Sequence, residues 1–269
     1  MKRRILQGIL VVVLLSIVGT ACTGKDKELQ AYFQNNRVTD REAWMQDAAA
    51  KPILLIGEHH GVADNYELFL DILRELPEES IQLVMEMPPS FAYLCTEYLI
   101  TGDENLLLQA LQNMEGTFGF TQENLQFWRQ VKTFSEEGKR IDVIGIDQEF
   151  QLKNTGLALL TIDKDAFTPV LQRIDKAGAD GTDALLQELD AIVKEYDAKP
   201  ANTDKDAAVQ DIMVSLAQLC QNRKGDKNRD LPLYQTFVRK VDPNRRVLGL
   251  FGGDHIVKAS DSGSMVSQL

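Results

Sequence analysis

The chain has 269 residues, with 40 acidic against 29 basic side chains and a formal net charge of -11. That balance excludes a global basic field of the kind that draws in nucleic acid, while 44% hydrophobic and 26% charged residues exclude wholesale disorder and a multi-span membrane protein. The length suits one large domain or two small ones, with enough core to fold without disulfide staples.

In chain order, Lys2, Arg3 and Arg4 precede an apolar run from Ile9 to Val18 that ends in Gly19, Thr20, Ala21 and Cys22. The run falls short of the roughly 20 residues needed to span a bilayer and has no basic stop-transfer cluster. This is the layout of a signal peptide over residues 1–21. It resembles a bacterial lipoprotein signal, although Gly19 stands where leucine is usual. The resemblance implies lipidation of Cys22 and a bacterial cell-envelope protein held on the membrane, facing periplasm or exterior. Cleavage would remove three basic residues and no acid, turning -11 into -14, which favours a lipid tether over unassisted adhesion to an anionic membrane. Residues 22–40, with GKDKE, read as a polar tether. Residues 41–269 read as a single domain.

Four nearly continuous apolar runs follow: Ile53 to Ile56, Ile81 to Met85, Ile141 to Ile146 and Val247 to Phe251. Such runs are expected of strands covered on both faces. Between them lie segments of helical period. Asn65 to Leu76 places Tyr66, Phe69, Leu73 and Leu76 on one face, with Asp64 as N-cap and Pro77 as stop. Thr121 caps a helix carrying Leu125, Trp128 and Val131, whose spacing marks them as core, and that helix ends near Gly138. Two more helices, Asp183 to Tyr196 and Asp206 to Gln221, belong to a helical insertion over about 154–240. Alternation of strands and helices predicts an α/β fold: a largely parallel central sheet flanked by helices, with the insertion before the last strand. Cys95 and Cys220 each lie in an apolar helical pattern, which favours buried thiols over a disulfide.

Chemistry collects where the strands end. The first is followed by Gly57, Glu58, His59, His60 and Gly61, the second by Glu86, the third by Asp147, and the fourth by Gly252, Gly253, Asp254 and His255. Ligands of parallel sheets bind beyond these carboxyl ends. All three histidines fall there, and imidazoles with carboxylates in one pocket are costly unless used.

The segment ILLIGEHHGVADNYELFLDILREL resembles the opening G-E-x-H strand, turn and helix of the haem-binding uptake (ChaN-like) proteins, relatives of the erythromycin esterases and the TraB/Tiki proteases. VMEMPPS, IDVIGID and LGLFGGDH are similar to the later strands of that superfamily. The resemblance implies that Glu58, His60, Glu86 and His255 form the pocket, with His59 at the variable position. Two departures stand out: the second early histidine of haem-binding members is replaced by Asn65 or Tyr66, and Arg74 lies too far along its helix to be the esterase arginine.

Several chemistries share these residues. Capture of haem would use His59, His60, Tyr66 and His255 as candidate ligands, with Met85, Met87 and Phe91 toward the macrocycle. Metal-free hydrolysis would use Glu58, His60, Glu86 and His255 to activate water, since no G-x-S-x-G elbow is present. A divalent metal would take His60, Glu86 and His255. The fourth reading is a binding lipoprotein without catalysis. In each case the partner is a small molecule, not a nucleic acid.

Overall fold

The computed structural model describes residues 23–36, 40–197, 199–223, 229–257 and 263–269, so the leader and Cys22 lie outside the described residues. It divides into two units, Met1–Ala48 and Ala49–Leu269. The first contains helix α1 (Thr23–Asn36), which occupies the stretch read as a polar tether, and the start of α2 (Arg41–Ala50). Among the described residues no helix is long and apolar enough to cross a membrane.

The second unit is built on a four-stranded, all-parallel sheet. Its elements are β1 (Ile53–Glu58), α3 (Asp64–Glu75), β2 (Ser80–Met85), α4 (Pro89–Thr101), α5 (Glu104–Gln112), α6 (Gln122–Glu136), β3 (Arg140–Gly145), α7 (Leu152–Ile162), α8 (Lys164–Ala179), α9 (Thr182–Asp197), α10 (Asp204–Arg223), α11 (Asp230–Lys240) and β4 (Arg246–Gly252). A short 3₁₀ turn, Gly253–Ile256, follows β4. The α/β architecture, the parallel sheet and the run of helices ahead of the last strand all match the sequence reading.

Strand order is β1-β4-β2-β3. The last strand in sequence therefore lies between the first and second, and every residue of β4 is buried. Among the described residues, strand β1 is an edge that pairs only with β4. This corrects the expectation that all four runs are covered on both faces: Ile53 is exposed and Leu54, Leu55 and Ile56 are only partly buried. Apolar continuity reports that a strand is largely buried; it does not distinguish a centre from an edge.

Two packing clusters hold the sheet. Leu233, Phe237 and Val241, from α11 and its C-terminal end, pack with Val84, Ile144, Val247 and Phe251 of the strands. A chain of aromatic contacts links three helices: Phe127 of α6 meets Tyr66 and Phe69 of α3 at 5.1 and 5.6 Å, and Trp128 meets Phe91 of α4 at 6.4 Å. Rings at these spacings contribute beyond their buried area. The Thr121 cap is as predicted, with its hydroxyl accepting from Asn124 N at 3.1 Å. At α3 the N-cap is Ala63, without a side-chain bond, and Asp64 is the first helical residue. Cys95 and Cys220 are buried.

One glycine shows how the sheet end is shaped. A Cβ on Gly145 would lie 2.6 Å from Pro88 O and 2.7 Å from Met87 O. The backbone leaving β2 thus crosses directly against the end of β3, a passage that only glycine permits.

Candidate functional site

Beyond the strand ends lies a cavity of about 580 Å³, within the usual range for small-molecule pockets. Its polar floor is Glu58, His60, Glu86, Asp147 and Arg229, and its apolar wall includes Met85, Met87, Phe91, Met114, Phe118 and Trp128. Parallel pairing accounts for the convergence. Strands running the same way bring Glu58 opposite Gly252 in register, and Glu86 keeps its N–H paired to Leu250 O at 3.3 Å just past β2.

At the mouth of β1, Glu58 Oε1 lies 2.8 Å from His60 Nδ1. Asn65, at the start of α3, braces this turn by donating to Glu58 Oε2 at 3.3 Å and to His59 O at 2.8 Å. With Nδ1–H given to the carboxylate, Nε2 carries the ring's lone pair. His60 also stacks on Phe118, with ring centroids 5.7 Å apart and an interplanar angle of 18°. A Cβ on Gly252 would stand 3.2 Å from His60 Nε2 and 3.1 Å from Glu86 Oε2. Glycine therefore keeps open a gap that the imidazole and the carboxylate flank from two sides.

Behind that gap runs an alternating chain of charge. Arg229 donates from Nη2 to Glu86 Oε1 at 2.6 Å, from Nε to Asp147 Oδ1 at 3.0 Å, and from Nη2 to Asp147 Oδ2. Glu86 Oε2 accepts from Gly252 N at 2.6 Å. His255 reaches Glu86 Oε1 through Nε2 at 3.4 Å and Asp230 Oδ1 through Nδ1 at 2.8 Å. Burial alone would raise the Glu86 pKa, but the His255 hydrogen bond, the Arg229 charge and the Gly252 amide outweigh it and bring the pKa to about 2. For His255 the hydrogen bond to Glu86 outweighs burial, and with Asp230 it raises the pKa to about 9. At neutral pH Glu86 is therefore an anion between the cations Arg229 and His255.

The sequence-predicted residues therefore separate into groups. Glu58, His60 and Glu86 meet on the pocket floor as expected. His255 joins them from behind, with each ring nitrogen facing a carboxylate, and does not line the pocket. His59 is exposed and does not line the pocket. Tyr66 lines the pocket, and burial first, then the charges of Glu58 and Glu123, raise the pKa of its phenol.

The divalent-metal set is also corrected. Among the described residues no group of three or more His, Cys, Asp or Glu side chains is placed to hold a metal ion. The reason is local: both Glu86 oxygens and both His255 nitrogens are already engaged, and the Arg229 guanidinium holds the position facing them. Of the three histidines, His60 is the one that lines the pocket and could hold a porphyrin iron there.

Sequence reasoning missed Arg229, Asp230 and the bracing role of Asn65. Arg229 gave no signal, since it sits in a polar stretch without period, 143 residues from Glu86. Arg74, in α3, pairs with Asp71 at 2.9 Å on the surface. Asp147 was noted at its strand end but without a role.

Among solved structures, the fold is similar to a protein from Bacillus cereus at 12% identity and a TM-score of 0.49, covering 90% of this chain and 68% of that one. It is also similar to ChaN of Campylobacter jejuni, described with cofacially bound heme, at 14% identity and a TM-score of 0.39, covering 87% of this chain and 82% of that one. No protein-family model and no curated protein matches the chain.

Proposed function

We propose that this chain is a metal-free hydrolase of a small acyl compound, with His60 as general base. The observation that carries the reading is the pair of Glu58 Oε1 and His60 Nδ1 at 2.8 Å, with Nε2 turned to the gap over Gly252. In the proposed step, His60 Nε2 takes a proton from water while the water oxygen bonds to the carbonyl carbon. Glu58 stabilises the imidazolium that forms. Arg229, already fixed by Asp147 and Glu86, is the nearby cation for the developing oxyanion. Collapse breaks the bond from acyl carbon to leaving oxygen, and the proton on His60 passes to that oxygen, giving acid and alcohol.

Removing the proton acceptor or its orienting partner tests this. Glu58→Gln and His60→Gln should each lower kcat by about 100-fold or more on a panel of simple esters, with the fold retained by circular dichroism. Rates equal to those of the unaltered chain would reject the role.

A second reading, haem capture, is favoured by the same open Nε2 facing an apolar chamber of about 580 Å³ with Met85, Met87 and Phe91 on its wall. In that case His60 alone is the axial ligand. Haemin titration should then give a Soret shift that His60→Gln abolishes and His59→Gln leaves intact. No shift removes this reading.

A further inference from the structure

The charges on the pocket wall are lopsided. Four carboxylates, Glu58, Glu86, Glu123 and Asp147, face one guanidinium, Arg229. Arg229 is paired with Glu86 and Asp147 through Nε and Nη2, and Glu58 is held by His60. Glu123, exposed in the first turn of α6, has no ion-pair partner among the described residues. It lies near enough to Tyr66 to help raise the pKa of that phenol. A concave site with low-dielectric walls focuses such an imbalance, so an anion entering the chamber meets repulsion and a cation meets attraction.

At the rim, Phe118 is 69% exposed, an apolar surface beside the polar floor. Aromatic faces next to a carboxylate suit an alkylammonium group.

We propose that the substrate class of this pocket is an amphipathic ester with a cationic amine seated toward Glu123 and an apolar body along the chamber; anionic esters are disfavoured. The word substrate rests on the hydrolytic reading above, whereas the charge preference is a property of binding.

The test uses the full chain and three 4-nitrophenyl esters of equal acyl length, ended by trimethylammonium, tert-butyl or sulfonate, together with the matching ketones in which CH₂ replaces the ester oxygen. Ketone binding is followed by calorimetry and ester turnover by 4-nitrophenolate release. Affinity should fall in the order ammonium, tert-butyl, sulfonate, with about a tenfold span that narrows as salt is added. Glu123→Gln, a change at an exposed side chain, should shrink the ammonium advantage several-fold while leaving the tert-butyl ketone unchanged. Sulfonate binding as tight as ammonium, or an ammonium advantage untouched by Glu123→Gln, would overturn the assignment. If the binding order holds with no turnover of any ester, the ligand class stands and hydrolysis falls; turnover without charge preference has the reverse meaning.

Discussion

His255 is held as a cation by its two carboxylate neighbours, and this makes the stability of the site depend on pH in a definite direction. Its folded pKa, about 9, lies above the ordinary value of 6.5. The stabilisation it contributes is therefore full below about pH 6.5 and is lost as pH climbs through 9. Glu86 has the opposite sign, with a folded pKa of about 2 against an ordinary 4.5. Its contribution is present above about pH 4.5 and disappears only as pH falls through 2. Between these limits the pair is worth most. The urea midpoint of the unaltered chain should thus exceed that of His255→Gln by most between about pH 4.5 and 6.5, with the gap closing toward pH 9. Parallel profiles for the two proteins would show that the imidazolium is not the group responsible.

At the scale of elements, a buried carboxyl joins three of them. Glu149, in the loop after β3, accepts from Ser90 N at 2.9 Å and Ser90 Oγ at 2.6 Å in the first turn of α4, and from Thr155 Oγ1 at 2.8 Å in α7. Burial raises its pKa to about 7 despite those donors, with the charge of Asp147 adding to the rise. An acid whose folded pKa is raised favours folding most while neutral, so stability is lost as pH rises from about 4.5 through 7. Glutamine retains the neutral shape, offering its oxygen to Ser90 N–H and its amide to the two hydroxyl oxygens. Glu149→Gln should accordingly match or exceed the parent in thermal midpoint near pH 8 and lose that advantage near pH 5. Glu149→Ala leaves the Ser90 amide unsatisfied and opens a void, and should cost about 2 kcal/mol or more at both. A glutamine variant less stable than the parent near pH 8 would mean that the carboxylate form is the one the fold requires.

For the molecule as a whole, what was legible in the chain was local. Uninterrupted apolar runs such as ILLI and IQLVM announced strands because burial leaves no polar position in them, and polar residues immediately after them announced the site. Glu58, His60 and Glu86 were readable for that reason. Order was not readable, since nothing in VLGLF says that it enters between β1 and β2. Arg229 and Asp230 were hidden similarly: their meaning comes only from partners more than twenty residues away. The same long-range pairing sets the order of folding. Strands β2 and β3 pair with each other directly, but among the described residues β1 has no neighbour except β4, from the far end of the chain. Closing that long loop is costly before contacts repay it. In pulse-labelled hydrogen exchange during refolding, amides of β2 and β3 should gain protection first, while Leu54 to Gly57 become protected only together with Val247 to Phe251. Protection of β1 ahead of β4 would require a partner for β1 that the native sheet does not contain.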